Sequence, residues 1–252
     1  MDGEEHKLKD ELKKQNFQME IWQTAYHREA SRLESLKNIT ERYDGYENSN
    51  RRVMEQKNRE PGIKGVVADI IHVQKDYEVA IETALGGSIQ NIVTDNEQTA
   101  KRMIGFLKKN RFGRATFLPL SNISGRGGLN QRDVLSEPGV VGTANTLVNA
   151  DKEYSELVMY LLGRVLVVDN IDHAIAIGKK YRHILRMVTI EGESLSPGGS
   201  MTGGAFKNNS NLLGRRREIE ELERSVGILR KELEETQKSI GENRSRRNVL
   251  RD

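Results

Sequence analysis

The chain has 252 residues, of which 31% are charged, 36% hydrophobic and 5% aromatic, with a net charge of +3 and no cysteine. That mix is too apolar for wholesale disorder and too charged for one globule, so long solvated helices beside a folded unit are expected. It excludes disulfide scaffolds, cysteine nucleophiles and thiolate metal sites, and it leaves any polyanion affinity to local charge distribution.

The N-terminal stretch, 1–58, reads as a coiled-coil segment. Leu8, Leu12, Met19, Trp22, Tyr26, Leu33, Leu36, Tyr43 and Met54 fall on one heptad stripe among mixed charges, with Gln15, Glu29, Thr40 and Glu47 at seam positions and Gly45 as a weak point. From 59 to 214 the character changes, with Gly and Pro punctuation and β-branched runs. Strands are predicted at 65–73, 90–95, 115–118, 139–142, 164–169 and 187–190, and helices at 77–85, 96–110, 155–162 and 171–181. Asn96 and Asn170 follow strand-end aspartates at N-cap positions. From 215 to 252 the heptad returns in Ile219, Leu222, Val226, Leu229, Leu233, Ile240 and Leu250. A two-in-seven stripe needs a partner, so the two coils are expected to pair antiparallel over a rod of roughly 50 Å. The alternative is an amphipathic bundle packed on the globule. Neither coil shows an outer cap, and both ends read as cuts through a longer rod.

The middle segment reads as a duplication. Gly65-Val-Val matches Gly139-Val-Val, Lys75-Asp-Tyr-Glu matches Lys152-Glu-Tyr-Ser, and Leu85-Gly86 matches Leu162-Gly163. Ile92-Val-Thr-Asp-Asn96 matches Val167-Val-Asp-Asn170, and Ala115-Thr-Phe-Leu matches Met187-Val-Thr-Ile. The expected fold is a mixed α/β globule of two pseudo-twofold halves, about 62–120 and 139–205, joined by a loop at 121–138.

No residue set carries catalysis. A Walker A motif is absent, the Gly-rich run at 196–204 lacks its lysine, and His6, His27, His72, His173 and His183 show no ligand spacing. No catalytic, cofactor-binding or metal residues are therefore named, and an enzyme is not expected. The chain also lacks the ~18 consecutive apolar residues of a membrane helix and a signal-peptide core, so a soluble, cytoplasmic protein without a membrane partner is expected.

Two features remain. Gly86, Gly87 and Ser88 precede one strand, and Gly198, Gly199, Gly203 and Gly204 flank Ser200, Met201 and Thr202. These are either tight turns or a subunit interface built by strand addition. The second feature is charge: Lys101, Arg102, Lys108, Lys109, Arg111 and Arg114 lie in an acid-free run. So do Lys179, Lys180, Arg182, His183 and Arg186, and Arg215, Arg216 and Arg217 follow at the globule's end. Such runs are solvated faces or a phosphate-contacting surface.

These residues resemble a known family. Gly62-Ile-Lys-Gly-Val-Val-Ala-Asp69, Ala84-Leu-Gly-Gly-Ser-Ile-Gln-Asn-Ile-Val-Thr-Asp95, Gly113-Arg-Ala-Thr-Phe-Leu-Pro-Leu120 and Ser194-Leu-Ser-Pro-Gly-Gly-Ser-Met-Thr-Gly-Gly204 look like the hinge of a bacterial, condensin-type structural maintenance of chromosomes (SMC) protein, with the coiled-coil arms on either side. The resemblance implies a homodimer through Gly86, Gly87, Gly198, Gly199, Gly203 and Gly204, and non-specific DNA contact through Lys108, Lys109, Arg111, Arg114 and Arg215, Arg216, Arg217. It also implies a role in chromosome condensation and segregation near the nucleoid. ATP, magnesium and kleisin-type partners would belong to head domains that this chain lacks. A zinc-hook coil tip is excluded, because it needs paired cysteines. The competing expectation is a rod-tip adaptor that dimerises or docks a protein without binding DNA.

Overall fold

The computed structural model describes residues 2–43, 46–125, 127–205 and 211–250; Gly45 lies outside the described residues. They form two compact units, one of Met1–Arg42 with Glu218–Asp252 and one of Tyr43–Arg217.

Helix α1 (Asp2–Glu41) precedes the globule, which opens with α2 (Asn48–Met54). The first half runs β1 (Ile63–Val66), α3 (Val67–Ile70), β2 (His72–Val73), α4 (Glu78–Leu85), β3 (Ile92–Thr94), α5 (Glu97–Asn110) and β4 (Phe117–Pro119). The second runs β5 (Val140–Thr143), β6 (Val148–Asn149), α6 (Ser155–Leu162), β7 (Val165–Val168), α7 (Ile171–Lys180) and β8 (Arg186–Thr189), then adds β9 (Ser194–Leu195) and β10 (Met201–Thr202). The long helix α8 (Leu212–Val249) follows.

The halves repeat each other in pairing as well as in order. β1 and β5 pair antiparallel with β3 and β7, each through a bulge, and β4 and β8 pair parallel with the same strands. The pairing corrects the sequence match by three residues. Gly62 accepts from the Asp95 amide (2.9 Å) as Gly139 accepts from Asp169 (2.8 Å), and the bulge glycines are Gly65 and Gly142. Phe117, not Ala115, is the counterpart of Met187, since they face Ile92 and Leu166 at equivalent places.

The dyad is visible directly. Counting back from the 3-10 turns at Lys75–Tyr77 and Lys152–Tyr154, His72 and Asn149 are equivalent, and they face each other across the β2–β6 ladder. A second tie runs from the Arg186 guanidinium of one half to the Ala84 carbonyl of the other, 2.8 Å away. One apolar cluster then fills both halves, from Ile63, Ile81 and Ile92 to Leu157, Leu162 and Val188. β7 is buried on both faces: Val165 and Val167 enter that shared cluster, while Leu166 and Val168 enter a smaller one with Ile177 and Met187.

Three expectations change. The run 65–73 is not one strand, because Val67–Ile70 closes a helical turn in which the Ile71 amide reaches the Val67 carbonyl (3.1 Å). Its apolar residues are buried, and a short buried apolar run looks alike in strand and helix. The stretch 43–58 belongs with the globule: Val53 and Met54 lie in its core, and Glu47 donates its amide to the Gln90 side chain (2.8 Å). The linker 121–138 is anchored by Val134, fully buried in the second half, and by an Arg164 bond to the Gly127 carbonyl (3.2 Å).

In the other unit, α1 and α8 pair antiparallel. Contacts run from Glu4–Arg246 (3.1 Å) through Gln15–Ser239 (2.8 Å) and Tyr26–Arg230 (3.4 Å) to Arg32–Glu218 (2.9 Å). Leu8, Leu12, Leu36 and Ile240 are buried in the seam. The polar seam positions answer one another: Gln15 bonds Ser239 and Asn243, and Glu29 accepts from the Ser225 hydroxyl.

Asn96 accepts from the Gln98 and Thr99 amides (3.0 and 3.1 Å), and Asn170 from the His173 amide (2.9 Å). Asn96→Ala and Asn170→Ala should each cost about 1 kcal/mol, measured by urea unfolding at one fixed protein concentration. A negligible loss at either site would show that its cap does not hold its helix.

Candidate interface and basic surface

Gly86–Gln90 forms a 3-10 turn after α4 that has no counterpart in the second half, where Gly163 leads straight into β7. The turn opens a groove of 760 Å³ in which Gly86, Gly87 and Ser88 meet Arg114, Thr116, Asn50 and Glu82. Gly86 has φ +52°, so its own conformation calls for glycine. Gly87 does not: its φ is ordinary for any residue, and a Cβ there would meet nothing within 4 Å. No contact among the described residues accounts for that glycine.

The second glycine set surrounds β10, the exposed outer strand of a five-stranded sheet ordered β10-β9-β8-β7-β5. Gly198 and Gly199 turn the chain between β9 and β10 with φ near +90° (91° and 93°). Gly198, Gly199, Ser200, Met201, Thr202, Gly203 and Gly204 are all exposed. The two glycine sets therefore do not lie on equivalent edges of the duplicated unit. The equivalent edges are β4 and β8. β8 is covered by β9, whereas β4 ends its three-stranded sheet with no neighbour among the described residues.

The helices beside those edges show the same difference. Arg111 and Arg182 both close their helices at φ 55°, with amides bonded back to Lys108 and Lys179. By that match Ile104 corresponds to Ile175. In the second half Leu195 and Met201 reach over Ile175, Leu185 and Met187, leaving a hollow of 170 Å³. In the first half the hollow measures 310 Å³, is bounded by Ile104, Leu107, Lys108 and Arg114, and leaves Ile104 52% exposed.

The basic residues divide into two kinds. Lys108 and Lys109 end α5, where the helix dipole favours cations, and Arg111 and Arg114 follow. All four are exposed and none makes an ion pair among the described residues. Arg114 lines the Gly86–Ser88 groove as well, which joins the two sequence-predicted sets. Arg215, Arg216 and Arg217 are half-buried instead. Arg217 pairs with the buried Glu78, and Arg216 lies 3.2 Å from His72 Nε2. In the second half Lys180 pairs with Glu137, and Arg186 is engaged by Ala84.

Sequence reasoning missed Glu82. With Glu78, one turn earlier, it holds the start of α8: Glu78 takes Arg217 and Asn211, and Glu82 accepts from the Leu212 amide at a long 3.4 Å. The second Glu82 oxygen and the Asn50 carbonyl oxygen are buried without a partner. Burial pushes the Glu82 carboxyl up to about 7; the Leu212 amide opposes this and the Glu78 charge adds to it. The available signal was a carboxylate inside the apolar run 79–85. No group of three or more metal-ligating side chains occurs among the described residues.

The family model for the SMC proteins flexible hinge domain matches residues 60–178. A solved relative, in the crystal structure of an asymmetric dimer of the Geobacillus stearothermophilus SMC hinge domain, is 34% identical, with a TM-score of 0.87 over 96% of this chain and 98% of that one. The chain belongs to the SMC hinge family. The Pyrococcus furiosus SMC hinge domain is 31% identical, with a TM-score of 0.52 over 73% of this chain and 91% of that one. Among whole proteins, the chromosome partition protein Smc of Lactiplantibacillus plantarum is 41% identical over 202 residues and that of Bacillus subtilis 42% over 200, covering 79% and 78% of this chain. The chain spans 17% of the length of each. What is matched is the hinge, a structural domain, rather than an ATPase head.

In this hinge the Glu82 pKa is raised, so its contribution to stability is full below about 4.5 and is lost as the pH rises through about 7. Glu82→Gln should therefore gain stability relative to wild type as the pH goes from 5 to 8, measured as the difference in Tm. A constant difference would mean that Glu82 keeps an ordinary pKa.

Proposed function

We propose that this chain is a homodimerisation hinge and that the basic corner at the end of α5 contacts DNA phosphates. The observation that carries the dimer is the mismatch between halves. The first half has an uncovered edge strand, β4, beside an uncovered apolar hollow, and the second half has a surplus edge strand, β10, with Met201 52% exposed. In a twofold dimer each copy's β10 side meets the other's β4 side, twice, and both edges are satisfied. Gly87 then allows the close approach that nothing inside one chain requires. Relatives of known structure support this, one of them solved as a hinge dimer.

The DNA reading rests on Lys108, Lys109 and Arg111, which are exposed and make no ion pair among the described residues. Arg114 joins them but also lines the interface groove; Arg216 and Arg217 are engaged by His72 and Glu78 at the start of α8, and Arg215 is half-buried beside them. Contacts of this kind are to phosphates, hence sequence-independent and salt-dependent. By its relatives' names the whole protein would act in chromosome partition. ATP hydrolysis, magnesium and kleisin-type subunits would belong to its heads.

Gly87→Val should leave the fold intact and shift the solution mass from dimer to monomer, read by light scattering across a dilution series. A dimer of unchanged stability removes that groove from the interface. Reversing Lys108, Lys109 and Arg111 to Glu should flatten the slope of log binding constant against log salt by about 2 to 3. No binding by the wild type would favour the DNA-free adaptor.

A further inference from the structure

The coil carries a basic groove that the hinge reading does not use. It has a volume of 450 Å³ and lies between α1 and α8, with Lys9, Lys13 and Asn16 on one wall and Arg244, Arg247 and Asn248 on the other. Leu12, 5% exposed, lies beneath as part of the seam. No carboxylate lines the groove.

Three other cations of the coil reach carboxylates on the facing helix: Arg32 meets Glu218 at 2.9 Å, Lys37 meets Glu223 at 2.7 Å, and Arg246 meets Glu4 at 3.1 Å. Lys9, Lys13, Arg244 and Arg247 make no ion pair among the described residues. Lys9 and Lys13 are four apart on one helix, and Arg244 and Arg247 three apart on the other, spacings at which like charges repel. The Arg247 Nε–H is also buried without an acceptor among the described residues, which disfavours the coil. The clustered cations and the buried Nε–H both work against the coil, and an anion in the groove offsets them.

We propose that this groove binds a phosphate-bearing ligand, through the lysines as point charges and the guanidinium groups as forked donors. The walls offer donors from several directions, which suits a tetrahedral oxyanion with more than one negative charge. An acidic peptide fits less well, because it would need apolar contact along its length and only the buried Leu12 is there to give it. The lining holds no aromatic residue, so bases would not stack and recognition stops at phosphate. Two sources share that chemistry: the phosphodiester backbone of a nucleic acid and a free oligophosphate.

The full chain has no cysteine, so Asn16→Cys with an environment-sensitive fluorophore gives a single reporter in this groove. It is titrated with a short DNA duplex, with inorganic tripolyphosphate and with polyglutamate. A saturable response is expected, weakened at least about tenfold when Lys9, Lys13, Arg244 and Arg247 are all changed to Gln, which keeps helix propensity. Far-UV circular dichroism checks that the coil survives. A response to duplex alone assigns a nucleic-acid backbone, and one to tripolyphosphate alone assigns a free oligophosphate. An equal response to polyglutamate, no response at all, or one the Gln changes leave intact overturns the proposal. Loss of DNA binding at Lys108, Lys109 and Arg111 would not affect this reporter.

Discussion

Everything in the globule depends on the short ladder between β2 and β6. Each strand is two residues long, too short to be stable alone, yet their pairing places the two copies about a dyad through His72 and Asn149. Once they are so placed, α4, α6 and the inner face of β7 fill one apolar volume that neither half encloses by itself. The Arg186 bond to the Ala84 carbonyl then ties β8 of one half to α4 of the other. The ladder supplies geometry, and the shared core supplies most of the free energy.

A duplicated fold with a single core is constrained to keep its two copies alike inside and free to let them differ outside. The bulges, caps and strand pairings are retained in both halves. They differ most in the turn at Gly86–Gln90 of one and the β9–β10 extension of the other, each anchored by one buried residue, Ile89 or Leu195, and exposed at its glycines. A protein that associates with its own copy needs two unlike surfaces that fit each other, and these differences supply them.

Much of this was legible in the sequence because it is local. Helix caps at Asn96 and Asn170, the helices that follow Tyr77 and Tyr154, and the heptad stripes are set by neighbours within one or two turns. The boundaries of α4, α5, α6 and α7 fell within a residue, whereas the first coil ends at Glu41 rather than 58. What escaped depends on partners far along the chain. The register of the repeat shifted by three residues because Gly65 and Gly139 look alike, and only the amides of Asp95 and Asp169 tell them apart. Arg217 read as a free cation because Glu78, which it pairs with, is 139 residues away. Gln15 and Glu29 read as flaws in the seam because Ser239, Asn243 and Ser225 face them only once the helices are in register.

Those seam contacts have an evolutionary consequence. A purely apolar stripe would let one helix slip past the other by a heptad and lose little. Here a slip of one heptad would bring Ser225 and Ser239 opposite Leu8, Trp22 or Leu36 and set Glu29 against Glu218 or Glu232, with polar groups stranded in the seam. An insertion or deletion in one helix must then be matched by one of equal length in the other. The two strands of the arm, encoded far apart, are bound to change length together.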